Sequence, residues 1–377
     1  MKFDWLIIGT GYSACVLAER IATQLGKRVI MVEKRSHIGG NAYDYYNEHG
    51  HLVHKYGPHI FHTKSQQVWN YLSQFTQWRP YYHHVLGVVE GKKVPIPFNL
   101  NSIYELFSPS YAEKLENLLL SRFGFGKKVP ILQLKEIEGD LSFLADYIYE
   151  NVFLRYTQKQ WNLRPEELDN GVTARVPIYI SRDNRYFQDP YQAMPQQGYT
   201  EMFRRMINHS NIKVLLNTDY REVIDDIVFE RAICTGPIDA FFDYMHGEMP
   251  YRSIDFRFET LDQAQYQEVG TVNYPNDYDI TRITEQKYLT GQVSSKTTLV
   301  KEFPQAYMPG RNDPYYPIPR AENRDRLSLY LKEAEKLKGR VLFAGRLGDY
   351  KYYNMDQAVI RALGIFEREI ARSPALV

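Results

Sequence analysis

The first 33 residues restrict the fold more than any other stretch. Phe3 to Ile8 is a short apolar run and reads as a buried strand. Gly9-Thr10-Gly11-Tyr12-Ser13-Ala14 follows. Ala14, Leu17, Ala18, Ile21, Ala22 and Leu25 then recur on one helical face, and Gly26 ends the helix. Arg28 to Val32 reads as a second strand, followed by Glu33, 22 residues after Gly11. Strand, glycine turn, helix, strand and acid in this order predict a βαβ unit that binds an adenine dinucleotide. Gly9 permits the tight turn, and Gly11 lets a pyrophosphate approach the backbone. Ser13 and Ala14 open the helix, Ala14 at the third glycine position. The helix N-terminus offers unpaired N–H groups and a positive dipole end. Glu33 can accept hydrogen bonds from a ribose diol.

Lys34, Arg35 and the run Gly39-Gly40-Asn41 come next. A basic residue and a second glycine pair directly after the acid resemble FAD proteins of the glutathione-reductase type. In that class the second pair lets the chain pass close to the cofactor, so Lys34, Arg35, Gly40 and Asn41 are candidate cofactor contacts. The C-terminal end returns to this pattern. Arg340 to Ala344 reads as a strand and Gly345 follows. Met355, Val359, Ala362, Leu363, Phe366 and Ile370 line one face of a last helix, with Asn354 and Gln357 at capping-box spacing. This unit is expected to rejoin the first domain and aim its N-terminus at the same cofactor.

Composition narrows the partners. A chain of 377 residues suggests two or three domains. Lys plus Arg is 46 against Asp plus Glu 45, so bulk charge cannot drive binding to nucleic acid. No apolar run approaches the ~20 residues of a membrane span, and the first strand is too short for a secretory signal. Cys15 and Cys234 cannot build a disulfide framework or a four-cysteine metal site, which fits a reducing, cytoplasmic setting. No metal is expected.

The middle of the chain changes character. Tyr82 to Val89 and Lys93 to Ile96 flank Glu90-Gly91-Lys92 and predict a hairpin. Asn101 to Glu167 is mainly helical, broken by Gly124, Gly126 and Pro130. Pro165 to Gly171 reads as a turn or mobile loop. Asn211–Leu216 and Val223–Phe229 read as short strands. Ser253–Phe258 and Val293–Phe303 alternate as half-buried antiparallel strands do, and Asn312-Asp313-Pro314 is a turn.

Several segments carry chemistry: Tyr56-Gly57-Pro58-His59-Ile60-Phe61-His62-Thr63, Tyr156-Thr157-Gln158-Lys159-Gln160-Trp161, Arg185-Tyr186-Phe187 and Asn273-Tyr274-Pro275. Others are Thr281-Arg282-Ile283-Thr284-Glu285, Lys301-Glu302-Phe303, Pro314-Tyr315-Tyr316-Pro317 and Gly345-Arg346-Leu347-Gly348-Asp349-Tyr350-Lys351-Tyr352. Arg175 and Arg282 sit in aromatic-rich surroundings, where guanidinium forks suit a diphosphate. Tyr156 and Trp161 can stack on a base or cover a ribose, or simply pack helix against loop. No paired-carboxylate signature, nucleophile elbow or motif cysteine is present, so a cofactor must carry the hard step.

In these motifs and their order, from Phe3 to about Ile370, the chain resembles the bacterial UDP-galactopyranose mutases. The resemblance implies an α/β fold with three domains. An FAD-binding Rossmann-like domain of the glutathione-reductase type spans 1–79, 193–245 and 317–377. A helical bundle spans 99–178, with a mobile substrate loop at 168–178. A twisted antiparallel sheet spans 80–98, 179–192 and 246–316. It implies an FAD enzyme, reduced by a donor such as NAD(P)H, that interconverts UDP-galactopyranose and UDP-galactofuranose for cell-surface polysaccharide. Reduced flavin is the nucleophile toward the anomeric carbon, and members are homodimers.

By the same resemblance, Arg175 and Arg282 clamp the diphosphate, and Tyr186, Tyr316 and Tyr352 reach it. Tyr156, Thr157 and Trp161 bind uridine, with Asn273 near the ribose. His62 stands beside the flavin ring, Glu302 near the sugar, and Arg346 against the flavin. Tyr56, Gly57, His59, Ile60, Tyr352, Asn354 and Met355 complete the cofactor contacts. His83 and Asn354 occupy positions near the substrate where the family usually carries Asn and Asp. UDP-N-acetylgalactosamine and dTDP-fucose are therefore alternative substrates. An FAD-dependent oxidoreductase of the same fold is the rival activity.

Overall fold

The computed structural model describes residues 2–318 and 320–372; the expected outer limits of the first domain, residues 1 and 377, lie outside them. β1 (Trp5–Ile8), α1 (Tyr12–Leu25) and β2 (Val29–Val32) form the unit read from the sequence. β1 sits at the centre of a five-stranded parallel sheet in the order 212–215, 29–32, 5–8, 231–234, 341–343. Helices cover such a sheet on its faces, so the inner strands β1 and β2 carry unbroken apolar runs, whereas the edge strand 212–215 exposes Lys213. Gly26 ends α1 in the left-handed conformation, with its N–H on the Ile21 carbonyl. The helix Met355–Ile365 packs beside α1, with Val359, Ala362 and Leu363 buried and its last turn extended through Phe366 and Ile370.

One strand expectation fails. Val223–Phe229 is not a strand: Asp219 accepts the Arg221 N–H at 3.0 Å and starts a helical turn, Tyr220–Val223. Val223, Ile224, Ile227 and Phe229 are apolar because they cover Phe3, Leu6 and Ile30 on the sheet. The strand lies just beyond, at Arg231–Cys234, where its apolar run is only three residues long.

The helical region comprises Leu100–Leu106, Pro109–Phe123, Ile131–Lys135 and Asp140–Ile148. A wider helical turn, Tyr149–Leu154, leads into Arg155–Trp161. Its core joins Ile103, Leu115, Leu119, Leu144 and Ile148. The 165–171 stretch, expected as a turn or mobile loop, is a turn that runs on into a short helix. Pro165–Glu167 forms a tight turn in which Glu167 accepts the Arg164 N–H at 2.8 Å, and Asn170–Thr173 adds a short helix.

The largest sheet has seven strands, ordered 316–317, 251–261, 297–306, 282–285, 271–273, 85–89, 92–96. Neighbours are antiparallel except 85–89 with 271–273, which run parallel. That exception corrects the purely antiparallel expectation: two hairpins meet edge to edge there, and no tight turn dictates their direction. The strand expected from Val293 begins at Thr297, and Val293 itself is fully exposed. Segment 179–192 adds no strand to this sheet and touches it through an antiparallel bridge from Arg185 to His84, at the start of 85–89. Tyr191–Pro195 instead pairs with Phe61–Thr63 and Trp78–Pro80 in a three-stranded sheet that sets Gln192 opposite His62. Among the described residues no helix is long and apolar enough to cross a membrane.

Candidate active site

At the C-terminal ends of β1 and β2 lies a cavity of about 390 Å³. Gly9, Gly11 and Ser13 line it from the start of α1, Glu33, Lys34 and Arg35 from the end of β2, and Gly40 and Asn41 from the next turn. No side chain caps α1, so its first N–H groups face this space. Gly9 holds φ +104°, and a Cβ there would lie 2.3 Å from the Thr235 hydroxyl oxygen. Gly40 holds φ +56°, and its Cβ would press to 2.9 Å from the Gly11 Cα, which is why the second glycine pair stands here. Glu33 accepts the Thr10 N–H and hydroxyl and the Arg35 N–H, fixing the carboxylate at the rim. Arg35 is engaged from the other side by Asp313, at 3.0 Å, and lies over the Tyr56 ring.

A second cavity, about 510 Å³, opens between the helical region and the large sheet. His59, Tyr315, Arg346, Asn354 and Met355 line both spaces. Tyr156, Thr157 and Trp161 come from the helix Arg155–Trp161. Asn273 and Arg282 face each other across a strand pair. His62, His83, Ile60, Arg175, Tyr186, Tyr316 and Tyr352 complete the candidates gathered here.

Arg175 reaches across the cleft. Its Nη2 donates to the Tyr352 carbonyl at 2.6 Å and its Nη1 to Asn354 Oδ1 at 2.9 Å, with the guanidinium 3.7 Å above the Tyr352 ring. Arg282 Nε donates to Glu302 Oε1 at 2.7 Å. Burial disfavours its charge, but Glu302 and the surrounding tyrosines more than offset this and hold the guanidinium protonated. Burial likewise keeps the Tyr156, Tyr186 and Tyr316 hydroxyls protonated and able to donate.

The three histidines differ. His62 holds Asp189 through Nδ1 at 2.5 Å and stacks on Phe187 at 3.6 Å. His59 Nδ1 meets the Gly57 carbonyl at 2.9 Å, and burial pulls it down to about 3. His83 Nδ1 pairs with the Tyr81 hydroxyl at 2.9 Å, and burial brings it to about 3 as well, so both imidazoles are neutral.

Four expected contacts lie elsewhere. Ala14 is buried beneath the turn and lines neither cavity. Tyr56 spends its hydroxyl on His37 Nε2 at 2.8 Å and its ring on Arg35. Gly57 lets the chain cross Phe256, which a Cβ would meet at 2.7 Å. Glu302, expected near the sugar, is 1% exposed and sits behind Arg282, because the strand register places Arg282 opposite Glu302. Ile60 and Tyr352, expected at the cofactor, line the second cavity alone. The sequence reading missed Asp189 and Tyr315. Tyr315 stood in a recognised motif without a role; Asp189 carried no signal, since only the pairing of 191–195 with 61–63 brings it to His62.

A dinucleotide cavity that opens into an arginine-lined, tyrosine-rich cleft fits an enzyme that brings a dinucleotide cofactor against an anionic substrate. Comparison narrows this. The family model for UDP-galactopyranose mutase matches residues 151–352, and that for an NAD(P)-binding Rossmann-like domain matches residues 7–75. A Klebsiella pneumoniae protein named as a probable UDP-galactopyranose mutase is 37% identical, over 95% of this chain and 92% of its own. The UDP-galactopyranose mutase of Mycoplasma genitalium is 35% identical, over 96% and 93%. The dTDP-fucopyranose mutase of Escherichia coli is 31% identical, over 95% and 96%. A solved reduced UDP-galactopyranose mutase superposes with TM-score 0.74 at 16% identity, covering 98% of this chain and 96% of that one. The chain belongs to the UDP-galactopyranose mutase family, whose members are isomerases. FAD is the cofactor of that family, and the residues present fit it. The Gly11–Gly40 cradle, which a Cβ would fill, and the uncapped start of α1 suit its pyrophosphate, and Glu33 suits its ribose.

Proposed function

We propose that this chain interconverts UDP-galactopyranose and UDP-galactofuranose for cell-surface polysaccharide. The observation that carries the reading is the wall shared by the two cavities, which brings the end of the dinucleotide site against a cleft holding Arg175 and Arg282. Gly9, Gly11, Ser13, Glu33, Gly40, Asn41, Arg346 and Met355 hold FAD, which when bound and reduced supplies the nucleophile for the anomeric carbon. Tyr156, Thr157 and Trp161 enclose the uridine, and Asn273 faces the ribose. Arg175 and Arg282 grip the diphosphate with Tyr186, Tyr316 and Tyr352. Negative charge grows on the departing UDP, so the guanidiniums help most at that point. Glu302 acts through Arg282, fixing its plane. His62, steadied by Asp189, offers Nε2 to the reacting groups. Segment 168–178 opens to admit substrate and closes as Arg175 docks on Tyr352.

The three-domain division, a cytoplasmic location, a homodimer and an NAD(P)H-type reductant belong to the same reading; two buried free thiols support the reducing compartment. A second reading keeps the chemistry and changes the sugar. A relative named dTDP-fucopyranose mutase is 31% identical, and a neutral His83 lines the cleft.

The test is to incubate dithionite-reduced and oxidised enzyme with UDP-galactofuranose and a panel of other nucleotide furanoses, then separate the products. Conversion of UDP-galactofuranose by reduced enzyme alone, without stoichiometric use of reductant, is expected. Preferential turnover of another sugar would move the assignment to it, and stoichiometric consumption of reductant would make the enzyme an oxidoreductase.

A further inference from the structure

Lys159 lies in the helix that carries Tyr156, Thr157, Gln160 and Trp161 into the cleft, yet it lines neither cavity. Its ammonium points into the loop 274–281, which joins the strand ending at Asn273 to the strand starting at Arg282. Nζ donates to four main-chain carbonyls of that loop: Tyr274 at 2.5 Å, Ile280 at 2.9 Å, Tyr278 at 3.1 Å and Asp277 at 3.3 Å. An ammonium has only three N–H groups, so the carbonyls share a saturated donor.

The loop is shaped for this guest. Tyr278 holds φ +61°, a left-handed conformation that costs an aromatic residue energy and persists only where surrounding contacts impose it. Tyr278 is 73% exposed, and its ring gains only an edge contact with Tyr274 in return. On the helix side, Arg252 donates to the Lys159 and Gln160 carbonyls at 3.2 and 3.0 Å, fixing the backbone from which the lysine extends.

We infer that Lys159 is a positioning residue that sets the width of the nucleotide end of the cleft by locking the 274–281 loop to the Arg155–Trp161 helix. One wall carries Tyr156 and Trp161; the other carries Asn273, Pro275 and Arg282. The ammonium is the polar tie to the Arg155–Trp161 helix itself, while Asn276 Nδ2 donates to the Asn151 carbonyl at 2.9 Å in the turn before it; Lys159 touches no substrate. This rests on the nucleotide-sugar reading of the cleft. Losing the tie leaves Arg282 on Glu302 and the cofactor cavity intact, so affinity for the nucleotide suffers before the chemical step.

The test uses the FAD-loaded full chain and UDP as probe, with binding read by calorimetry and loop opening by amide hydrogen exchange. In Lys159→Met, the UDP Kd and the substrate KM are expected to rise together by about tenfold or more. The kcat is expected to stay within about threefold. Amides of 274–281 are expected to exchange about tenfold faster, with 251–261 and 297–306 unchanged. Lys159→Arg, which can still donate to several carbonyls, is expected to restore UDP affinity. Lys159→Gln keeps two donors and serves if the Met variant fails to fold; it is expected to fall between them.

An unchanged UDP Kd in a folded Lys159→Met or Lys159→Gln protein would overturn the proposal. So would a fall in kcat with KM unchanged, or faster exchange across the whole large sheet, which marks a general structural role. Wild-type enzyme that ignores UDP would instead sink the nucleotide reading, and the positioning role with it. Faster exchange confined to 274–281 in the variant would then still record the tie.

Discussion

The two cavities are built from different materials. The first is made largely of main chain: glycines without a Cβ, the uncapped start of α1 and the turn at Gly39-Gly40. The second is made of side chains delivered by segments that lie more than 200 residues apart in sequence, from His62 to Asn354. A site of backbone tolerates few substitutions, because an added carbon collides. A site of side chains can be retuned one residue at a time. Under the proposed function, cofactor binding and substrate choice are thereby separated within one molecule and meet at the shared wall.

The largest effect should come from the backbone cavity. Gly40→Val places branched carbon against Gly11 in a left-handed conformation and should give colourless protein with no releasable FAD. Yellow protein from this variant would break the distinction. Next, Arg282→Ala and Arg175→Ala should each lower kcat/KM by about 10²- to 10³-fold while retaining full FAD content. The Arg282 change should be the worse of the two, since it strands the Glu302 carboxylate in a buried setting. Loss of flavin in either would show that the two sites are not separable. Asp189→Asn keeps the shape but removes the charge facing His62. A fall in kcat/KM of about tenfold, with the flavin spectrum unchanged, is expected from steady-state kinetics.

A separate effect is on stability. Burial holds His54 at about 4 and His83 at about 3 in the folded chain, below the ordinary value of 6.5. As pH falls below 6.5 the unfolded chain takes up protons that these two folded imidazoles refuse. Each therefore removes about 1.4 kcal/mol of stability per pH unit down to its own folded value. Urea midpoints at pH 6.5 and pH 5 should show the loss, and His83→Asn should reduce it. An unchanged slope in that variant would place the His83 imidazole in solvent instead.

The same contrast explains what could be read before the structure. The Gly9–Glu33 unit was legible because each element announces itself locally: an apolar strand, glycines, a helical face, an acid. The last helix was legible for the same reason. Segment 223–229 misled because its apolar residues cover a sheet from the end of a helical turn and the irregular stretch after it, and a short run cannot distinguish that from a pleat. Tyr56, Gly57 and Glu302 lay in motifs, but motifs give neighbourhood and not direction. Strand register turns Glu302 toward Arg282, and crossing Phe256 consumes the freedom of Gly57. Asp189 was invisible because its partner lies 127 residues away.

Under the proposed function, the flavin end of one cavity and the diphosphate end of the other meet at the wall of His59, Tyr315, Arg346, Asn354 and Met355. Titrating oxidised holoenzyme with UDP while recording the flavin absorption bands tests it most directly. A saturable change in the bands, absent in Arg282→Ala, is the expected result. UDP that binds, by calorimetry, without altering the flavin spectrum would contradict it.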